Sequence, residues 1–207
     1  MTICNTIAIG FLAGGQARRM GGGDKALIKI GDETILQRQM RKTDRFAVRL
    51  INANGDASRF ADTGLPVVQD VSSGFLGPLV GLLSCLDYLA LHHPEITMLQ
   101  TMATDAPFVP HDLTDRLNQA IMEPDQLAQP ASNGRRHPVF GLWPVTIRQN
   151  LHDAVIHEGV RKIDDFTSGY QMAVVECEHP DYDMFMNLNR VEDVALAEQI
   201  NARITSR

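Results

Sequence analysis

The chain has 207 residues, 44% of them hydrophobic, and no run of eighteen apolar residues. These values fit one α/β domain spanning residues 1–207 with a full core, and they argue against a membrane span. Nineteen basic against 25 acidic residues give a formal charge of -6, which disfavours a basic face for binding nucleic acid.

The first half alternates short apolar runs with amphipathic or apolar helical segments. The apolar runs predict strands at Thr6–Leu12, Phe46–Asn52, Pro66–Gln69 and Ile96–Ala103. Thr34 begins a helix, with Gln37 three residues on, as in a capping box. Further helices are predicted over Leu79–Leu91, with Pro78 at the first helical position, and over His111–Met122.

The second half is more mixed. Its predicted elements are strands at Gln126–Ala131 and Pro138–Pro144 flanking a turn at Asn133-Gly134, a helix over Val145–Glu158, a strand at Tyr170–Cys177 and a closing helix over Val191–Ala202. The β-α-β-α succession predicts a three-layer α/β/α fold with a mostly parallel, Rossmann-like sheet. Ligands of such sheets bind beyond the carboxyl ends of the strands.

The glycine-rich segment after the first strand is the most informative part of the sequence. Residues Leu12–Lys25 read LAGGQARRMGGGDK, with five glycines, two arginines and a lysine. Glycines let backbone N–H groups approach an anion, and arginine and lysine neutralise phosphate charge. The segment therefore predicts a site for a nucleoside triphosphate.

Two other phosphate-binding motifs fit this segment poorly. A Walker A loop needs Gly-Lys followed by Ser or Thr, but Lys25 follows Asp24 and precedes Ala26. A match to the dinucleotide fingerprint at Gly21–Ala26 lies too far beyond the strand, and the second strand has no acidic residue at its end to bind a ribose.

The string LAGGxxxRMGGxDK resembles the signature loop of nucleotidyltransferases that activate cofactors and sugars, most closely the molybdenum cofactor guanylyltransferases. Further segments resemble the same family in the same order: Gly77–Leu82 (GPLVGL), Thr104–Phe108 (TDAPF), His137–Trp143 (HPVFGLW) and Asn187–Asn189 (NLN). The chain departs from the family at Arg190-Val191, where the family usually reads Thr-Pro. The resemblance implies the fold of the nucleotide-diphospho-sugar transferases.

Transfer of a nucleotide to a phosphate brings two anions together, so catalysis depends on positioning and charge neutralisation. Asp105 follows the fourth strand and is the expected ligand of Mg²⁺, which prefers carboxylate and phosphate oxygens; a turn-capping role is the alternative. Lys25 and Arg19 are expected to bind the triphosphate as catalytic residues, although Arg19 could be an ordinary surface residue.

The nucleoside is expected at the ends of the first three strands. The candidate residues are Leu12, Ala13, Gly14, Gly15, Lys25, Asn52, Asp70 and Asp105. Asn52 could instead cap its strand, and Asp70 could be a structural turn residue. By the family resemblance, Asn187 and Asn189 bind the pterin, and alternation places both side chains on one face. His137 has two equal interpretations, a functional residue or a satisfied residue at the sheet edge.

The resemblance implies a substrate pair and an activity. GTP would donate GMP to the terminal phosphate of molybdopterin or molybdenum–molybdopterin, with acceptor molybdoenzymes or their chaperones as further partners. By the family resemblance, the Leu-Ala-Gly-Gly tetrapeptide goes with GTP, and it is the sole basis for choosing guanine. The alternatives are a cytidylyltransferase, a sugar-1-phosphate nucleotidylyltransferase, or a non-catalytic pterin carrier.

Cysteine and histidine usage bears on compartment and metals. The three cysteines are widely separated and form no CxxC pair: Cys4, Cys85 and Cys177. A reducing cytoplasm is therefore the expected compartment. His152 and His157 are not expected beside a carboxylate at a metal-ligand spacing, so no histidine metal site is predicted.

Overall fold

The computed structural model describes residues 6–14, 24–72 and 77–206. Its strands are β1 Ile7–Leu12, β2 Lys29–Ile30, β3 Glu33–Thr34, β4 Arg49–Asn52, β5 Val67–Val68, β6 Met98–Ala103, β7 Leu127–Ser132, β8 Arg135–Arg136, β9 Leu142–Pro144 and β10 Met172–Glu176. Its α-helices are α1 Ile35–Lys42, α2 Pro78–His92, α3 Leu113–Ala120, α4 Arg148–His152, α5 Ile163–Thr167 and α6 Val191–Thr205.

One mixed sheet forms the middle layer, in the order β10-β7-β9-β6-β1-β4-β5, with β8 paired to β7. The β6-β1-β4-β5 half is parallel throughout, whereas β9 runs antiparallel to both β6 and β7. The expected three-layer fold with a mostly parallel sheet is confirmed.

Alternation along β1 divides the core between the two faces of the sheet. Ile7, Ile9 and Phe11 point to a core shared with α1 and α3, whereas Ala8 faces a core shared with α2, α4 and α5. Helix α2 lies so close to β1 that a Cβ at Gly10 would stand 3.2 Å from the Cys85 sulfur. A third cluster packs α6 against the β2–β3 hairpin.

Three local predictions are confirmed at atomic detail. The Thr34 hydroxyl accepts from the Gln37 amide at 3.1 Å, and the Gln37 side chain accepts from the Thr34 amide at 2.8 Å. Pro78 is at the start of α2. Asn133 and Gly134 have φ values of 49° and 71° and form the tight turn between β7 and β8.

Two predicted elements are wrong in their extent. Residues 138–144 do not form a continuous strand, because Pro138 starts a 3₁₀ turn, Pro138–Phe140, and only Leu142–Pro144 pairs with the sheet. The helix predicted over Val145–Glu158 divides into a 3₁₀ turn at Val145–Ile147, α4, and a π turn at Asp153–His157.

The elements that the sequence analysis missed are short. They are the β2–β3 hairpin, β8, α5, and 3₁₀ segments at Lys25–Leu27 and Ala57–Thr63. Each has too few residues for hydrophobic periodicity to reveal it. In the described ranges, the helices fall short of the length and hydropathy that a bilayer crossing requires.

Candidate active site

The carboxyl ends of three central strands lie side by side. Leu12 in β1 is in register with Asn52 in β4 on one side and with Ala103 in β6 on the other. The loops that follow these strands therefore meet at one edge of the sheet, as the crevice rule predicts. Of the predicted site residues, Gly15 and Arg19 lie outside the described residues.

On the β6 side, four predicted site residues come together: Lys25, Asp105, Asn187 and Asn189. We call them the Lys25 cluster. The Lys25 ammonium lies 3.4 Å from Asp105 Oδ2 and donates to Asn189 Oδ1. With its amide oriented to satisfy its neighbours, Asn187 donates to Asp105 Oδ1 at 3.3 Å and to the Phe185 carbonyl at 3.2 Å. The residues expected on the pterin side thus contact those expected at the triphosphate.

The loop that carries Asp105 is fixed by hydrogen bonds from three directions. Gln39, buried in α1, donates to the carbonyls of Ala103 and Ala106 at 2.9 and 3.0 Å. The Leu188 amide donates to the Asp105 carbonyl at 2.8 Å, and the Thr104 hydroxyl donates to the Leu12 carbonyl at 3.2 Å. Sequence analysis missed Gln39, whose only signal is an amide on the buried face of α1.

The electrostatics of Asp105 favour a bound cation. Burial raises the pKa of the Asp105 carboxyl, although Lys25 lowers it. Burial disfavours the ionised carboxylate more than Lys25 favours it, and a bound cation would favour the ionised form. Magnesium sites use one or two carboxylates together with phosphate oxygens and water, so this single desolvated carboxylate fits Mg²⁺ bound with a nucleotide.

On the β4 side lies a second group, Asn52, Asn54 and Asp70, which we call the Asn52 cluster. Asn52 is buried and donates to Asp70 Oδ1 at 2.9 Å and to the Val68 carbonyl at 3.2 Å. Asn54 donates to Asp70 Oδ2 at 2.7 Å, and its side-chain oxygen accepts from the Asp70 backbone amide at 3.0 Å. Both oxygens of Asp70 therefore have partners within the protein.

Gly81 in α2 has a steric role beside the Asn52 cluster. A Cβ at this position would stand 2.4 Å from Asn52 Oδ1 and 3.2 Å from Leu12 Cδ2. The second glycine of the Gly-Pro-Leu-Val-Gly segment is thus required by the close approach of α2 to the ends of β1 and β4.

The β1 end offers fewer free backbone groups than the sequence analysis assumed. The Leu12 carbonyl accepts from Thr104, and the Ala13 amide donates to the Asn52 carbonyl at 2.8 Å. Gly14 is exposed, and a Cβ there would meet nothing within 4 Å. Binding of the nucleoside by this segment stays a prediction.

Arg59 connects the two clusters and was missed by the sequence analysis. Its guanidinium donates to Asp24 Oδ2 at 3.0 Å and to the Asn54 carbonyl at 2.7 Å. Asp24 in turn accepts from the Ala26 amide at 3.0 Å and begins the turn that carries Lys25. Nothing in the local sequence indicates this pairing, because the partners are 35 residues apart.

One expectation about histidines is wrong. His152 and His157 do lie beside a carboxylate, because the π turn brings a ligand atom of each within 4.8 Å of Asp153 and of one another. A regular α-helix turns 100° per residue, so residues five apart would diverge.

Known proteins resemble this chain over nearly its whole length. The family model of the MobA-like NTP transferase domain matches residues 10–185. A molybdenum cofactor guanylyltransferase of Bradyrhizobium sp. (strain ORS 278) is 45% identical over 206 residues, covering 98% of this chain and 97% of the relative.

Solved structures share the fold at low sequence identity. The molybdopterin-guanine dinucleotide biosynthesis protein A of Archaeoglobus fulgidus superposes with a TM-score of 0.75 at 19% identity, covering 95% of this chain and 99% of that one. The 4-diphosphocytidyl-2C-methyl-D-erythritol synthase of Anaerococcus prevotii superposes with a TM-score of 0.73 at 12% identity, covering 96% and 97%.

Proposed function

Because this chain belongs to the family of MobA-like NTP transferase domains, we propose that it is a molybdenum cofactor guanylyltransferase. It would transfer GMP from GTP to the terminal phosphate of molybdopterin. The observation that carries the proposal is the contact of Lys25 with Asp105 beside Asn187 and Asn189, in a chain 45% identical to a relative of that name.

The reaction sets the requirements of the site. A phosphate oxygen of the pterin attacks the α-phosphorus of GTP, and the bond from that phosphorus to the bridging oxygen breaks, releasing pyrophosphate. The products are a dinucleotide with a new P–O–P link and a leaving group with additional negative charge. The protein must align the two anions and neutralise that charge.

Lys25 is suited to the leaving group. Its ammonium has three donors, and Asp105 and Asn189 account for two of its contacts. Arg19, six residues earlier in the sequence, is proposed to assist Lys25. Asp105 would hold Mg²⁺, which supplies positive charge to the phosphate oxygens when bound.

The two clusters suggest how the substrates divide the crevice. The Asn52 cluster lies on the β4 side with its amides and carboxylate already oriented, which suits a nucleoside with several donors and acceptors. Asn187 and Asn189 lie on the β6 side against Asp105 and Lys25, so a pterin phosphate bound by them would reach the triphosphate. GTP and the pterin are the proposed partners.

The partners beyond the substrates and the compartment follow from the activity. Enzymes that receive the dinucleotide cofactor, or their chaperones, are the proposed downstream partners. The cytoplasm is the proposed compartment, and it suits the free thiols of Cys85 and Cys177.

Pyrophosphate release from GTP with purified molybdopterin and Mg²⁺ tests the proposal. Release should require both substrates and the metal, and GTP should be used in preference to ATP, CTP and UTP in competition. Preference for CTP would instead make the protein a cytidylyltransferase. Stoichiometric GTP binding without pyrophosphate would favour a pterin carrier.

A further inference from the structure

We propose that Asp183, together with Ser132 and His137, is a positioning residue that sets the segment 183–189 against Lys25 and Asp105. The catalytic consequence of this inference rests on the proposed function. Its structural part, the anchoring of the segment, can be tested without any substrate.

Asp183 anchors the start of the segment through one carboxylate oxygen. Its Oδ1 accepts from the Ser132 hydroxyl at 2.9 Å and from the Phe185 amide at 2.9 Å. Ser132 lies at the end of β7 and is 2% exposed, so this hydrogen bond ties the segment to the sheet. Without Asp183, the buried Ser132 hydroxyl would lose the acceptor of its hydrogen bond, which costs free energy.

His137 completes the anchor from the other side. Its Nε2 is 2.8 Å from the Ser132 hydroxyl oxygen, and its ring stacks on Phe185 with centroids 4.5 Å apart. The Ser132 hydroxyl donates its hydrogen bond to Asp183, so the Ser132 oxygen acts as the acceptor toward His137. His137 therefore has a proton on Nε2. Burial lowers the pKa of His137 and favours the neutral ring, whose Nε2–H tautomer meets this requirement.

From Phe185 the hydrogen bonds lead directly into the Lys25 cluster. The Phe185 carbonyl accepts from Asn187, which also donates to Asp105. The Leu188 amide donates to the Asp105 carbonyl at 2.8 Å, and Asn189 accepts from Lys25. Asn187 and Asn189 are both exposed and belong to no helix or strand. Asp193 accepts from the Asn189 amide at 2.8 Å and holds the segment at its end, and the anchor holds it at its start.

Three variants separate anchoring from a simple effect of charge. Asp183→Ala removes the acceptor. Asp183→Asn removes the charge but keeps an oxygen that can accept from Ser132 and Phe185. Glu178→Ala, which removes an exposed carboxylate five residues before Asp183 in the sequence, serves as the matched control. Ser132→Ala is a second test of the anchor, should Asp183→Ala fail to fold by circular dichroism.

Hydrogen exchange of the Leu188 amide reports the anchoring directly, because this amide donates a hydrogen bond to the Asp105 carbonyl. We expect exchange about tenfold faster in Asp183→Ala, or in Ser132→Ala, and within about twofold of the parent in Asp183→Asn and Glu178→Ala. The kcat for pyrophosphate release should fall about tenfold in Asp183→Ala and recover in Asp183→Asn.

Two results would overturn the proposal. Unchanged Leu188 exchange in both Asp183→Ala and Ser132→Ala would mean that the segment is held by other contacts. Equal losses in Asp183→Asn and Asp183→Ala would mean that the charge, not the acceptor, matters. If guanylyl transfer itself were absent, the exchange measurement would still decide whether the anchor exists.

Discussion

The Lys25 cluster and the Asn52 cluster lie on opposite sides of β1 and are built differently. The Asn52 cluster comes from two neighbouring strand ends, and both oxygens of its only carboxylate have amide partners. The Lys25 cluster is assembled from three distant parts of the chain, and its carboxylate has its pKa raised by burial. The carboxylate of the first group is held by neutral amides, whereas that of the second is largely buried and lies beside the charged Lys25 ammonium.

The difference suggests a division of labour. A preformed, satisfied platform contributes binding that is equal in ground and transition states, and a desolvated charged group contributes most where charge develops. Changes in the Lys25 cluster should therefore act on kcat, and changes in the Asn52 cluster on KM for GTP or on stability.

Removal of the Lys25 ammonium should have the largest effect. We expect Lys25→Ala to lower kcat for pyrophosphate release by about 10³-fold, because charge on the leaving group would lose its donor. Steady-state assays with saturating GTP measure this. The exposed Lys29→Ala is the matched control and should keep parent activity; a Lys25→Ala enzyme of parent kcat would remove Lys25 from the mechanism.

A methyl group at Gly81 should disrupt the platform sterically. The added Cβ would stand 2.4 Å from Asn52 Oδ1, so Gly81→Ala should lower the free energy of unfolding by about 1–3 kcal/mol. Urea unfolding measures this. Because Asn52 causes the clash, Asn52→Ala/Gly81→Ala should be less destabilised than the sum of its single variants. Strict additivity would show that the clash is relieved elsewhere.

Truncation of Asp70 should affect binding more than chemistry. Asp70→Ala leaves the side-chain amides of Asn52 and Asn54 without their shared acceptor. We expect KM for GTP to rise about tenfold while kcat stays within about threefold. Initial rates across GTP concentrations check this, with the exposed Asp62→Ala as control. A fall in kcat alone would contradict the proposed division.

Neutralising Asp105 should give a small gain in stability without metal. Its pKa is raised in the folded state, so its favourable contribution is complete below the unfolded pKa and is lost as the pH rises through the folded pKa. In metal-free buffer, Asp105→Asn should therefore gain on the parent in urea unfolding between pH 4 and pH 7. If the free energy of unfolding of Asp105→Asn instead fell relative to the parent as the pH rose over that interval, the pKa of Asp105 would not be raised in the folded protein.

The sequence predicted the parts of this molecule that depend on local pattern. The central strands, the Thr34 capping box and the polar positions after each strand follow from periodicity and turn chemistry, and Lys25, Asp105, Asn187 and Asn189 are brought together as one group. The positions of Lys25 and Asp105 were accessible because strand ends in a parallel sheet meet at one edge, whereas Asn187 and Asn189 were indicated only by the family resemblance.

The supporting contacts could not be predicted in the same way. Gln39 binds carbonyls more than sixty residues away, and Asp183 binds a hydroxyl 51 residues away. Partners so far apart in the chain leave no local pattern. The π turn at Asp153–His157 and the short antiparallel β9 likewise depend on tertiary packing rather than on propensity.

The most direct test of the account is the position of the metal in a crystal of the complex with GTP and Mn²⁺, whose anomalous scattering locates it. We expect the ion about 2.1 Å from an Asp105 carboxylate oxygen, with the triphosphate beside Lys25 and the nucleoside toward Asn52. Mn²⁺ and nucleotide bound away from both Asp105 and Lys25 would contradict it.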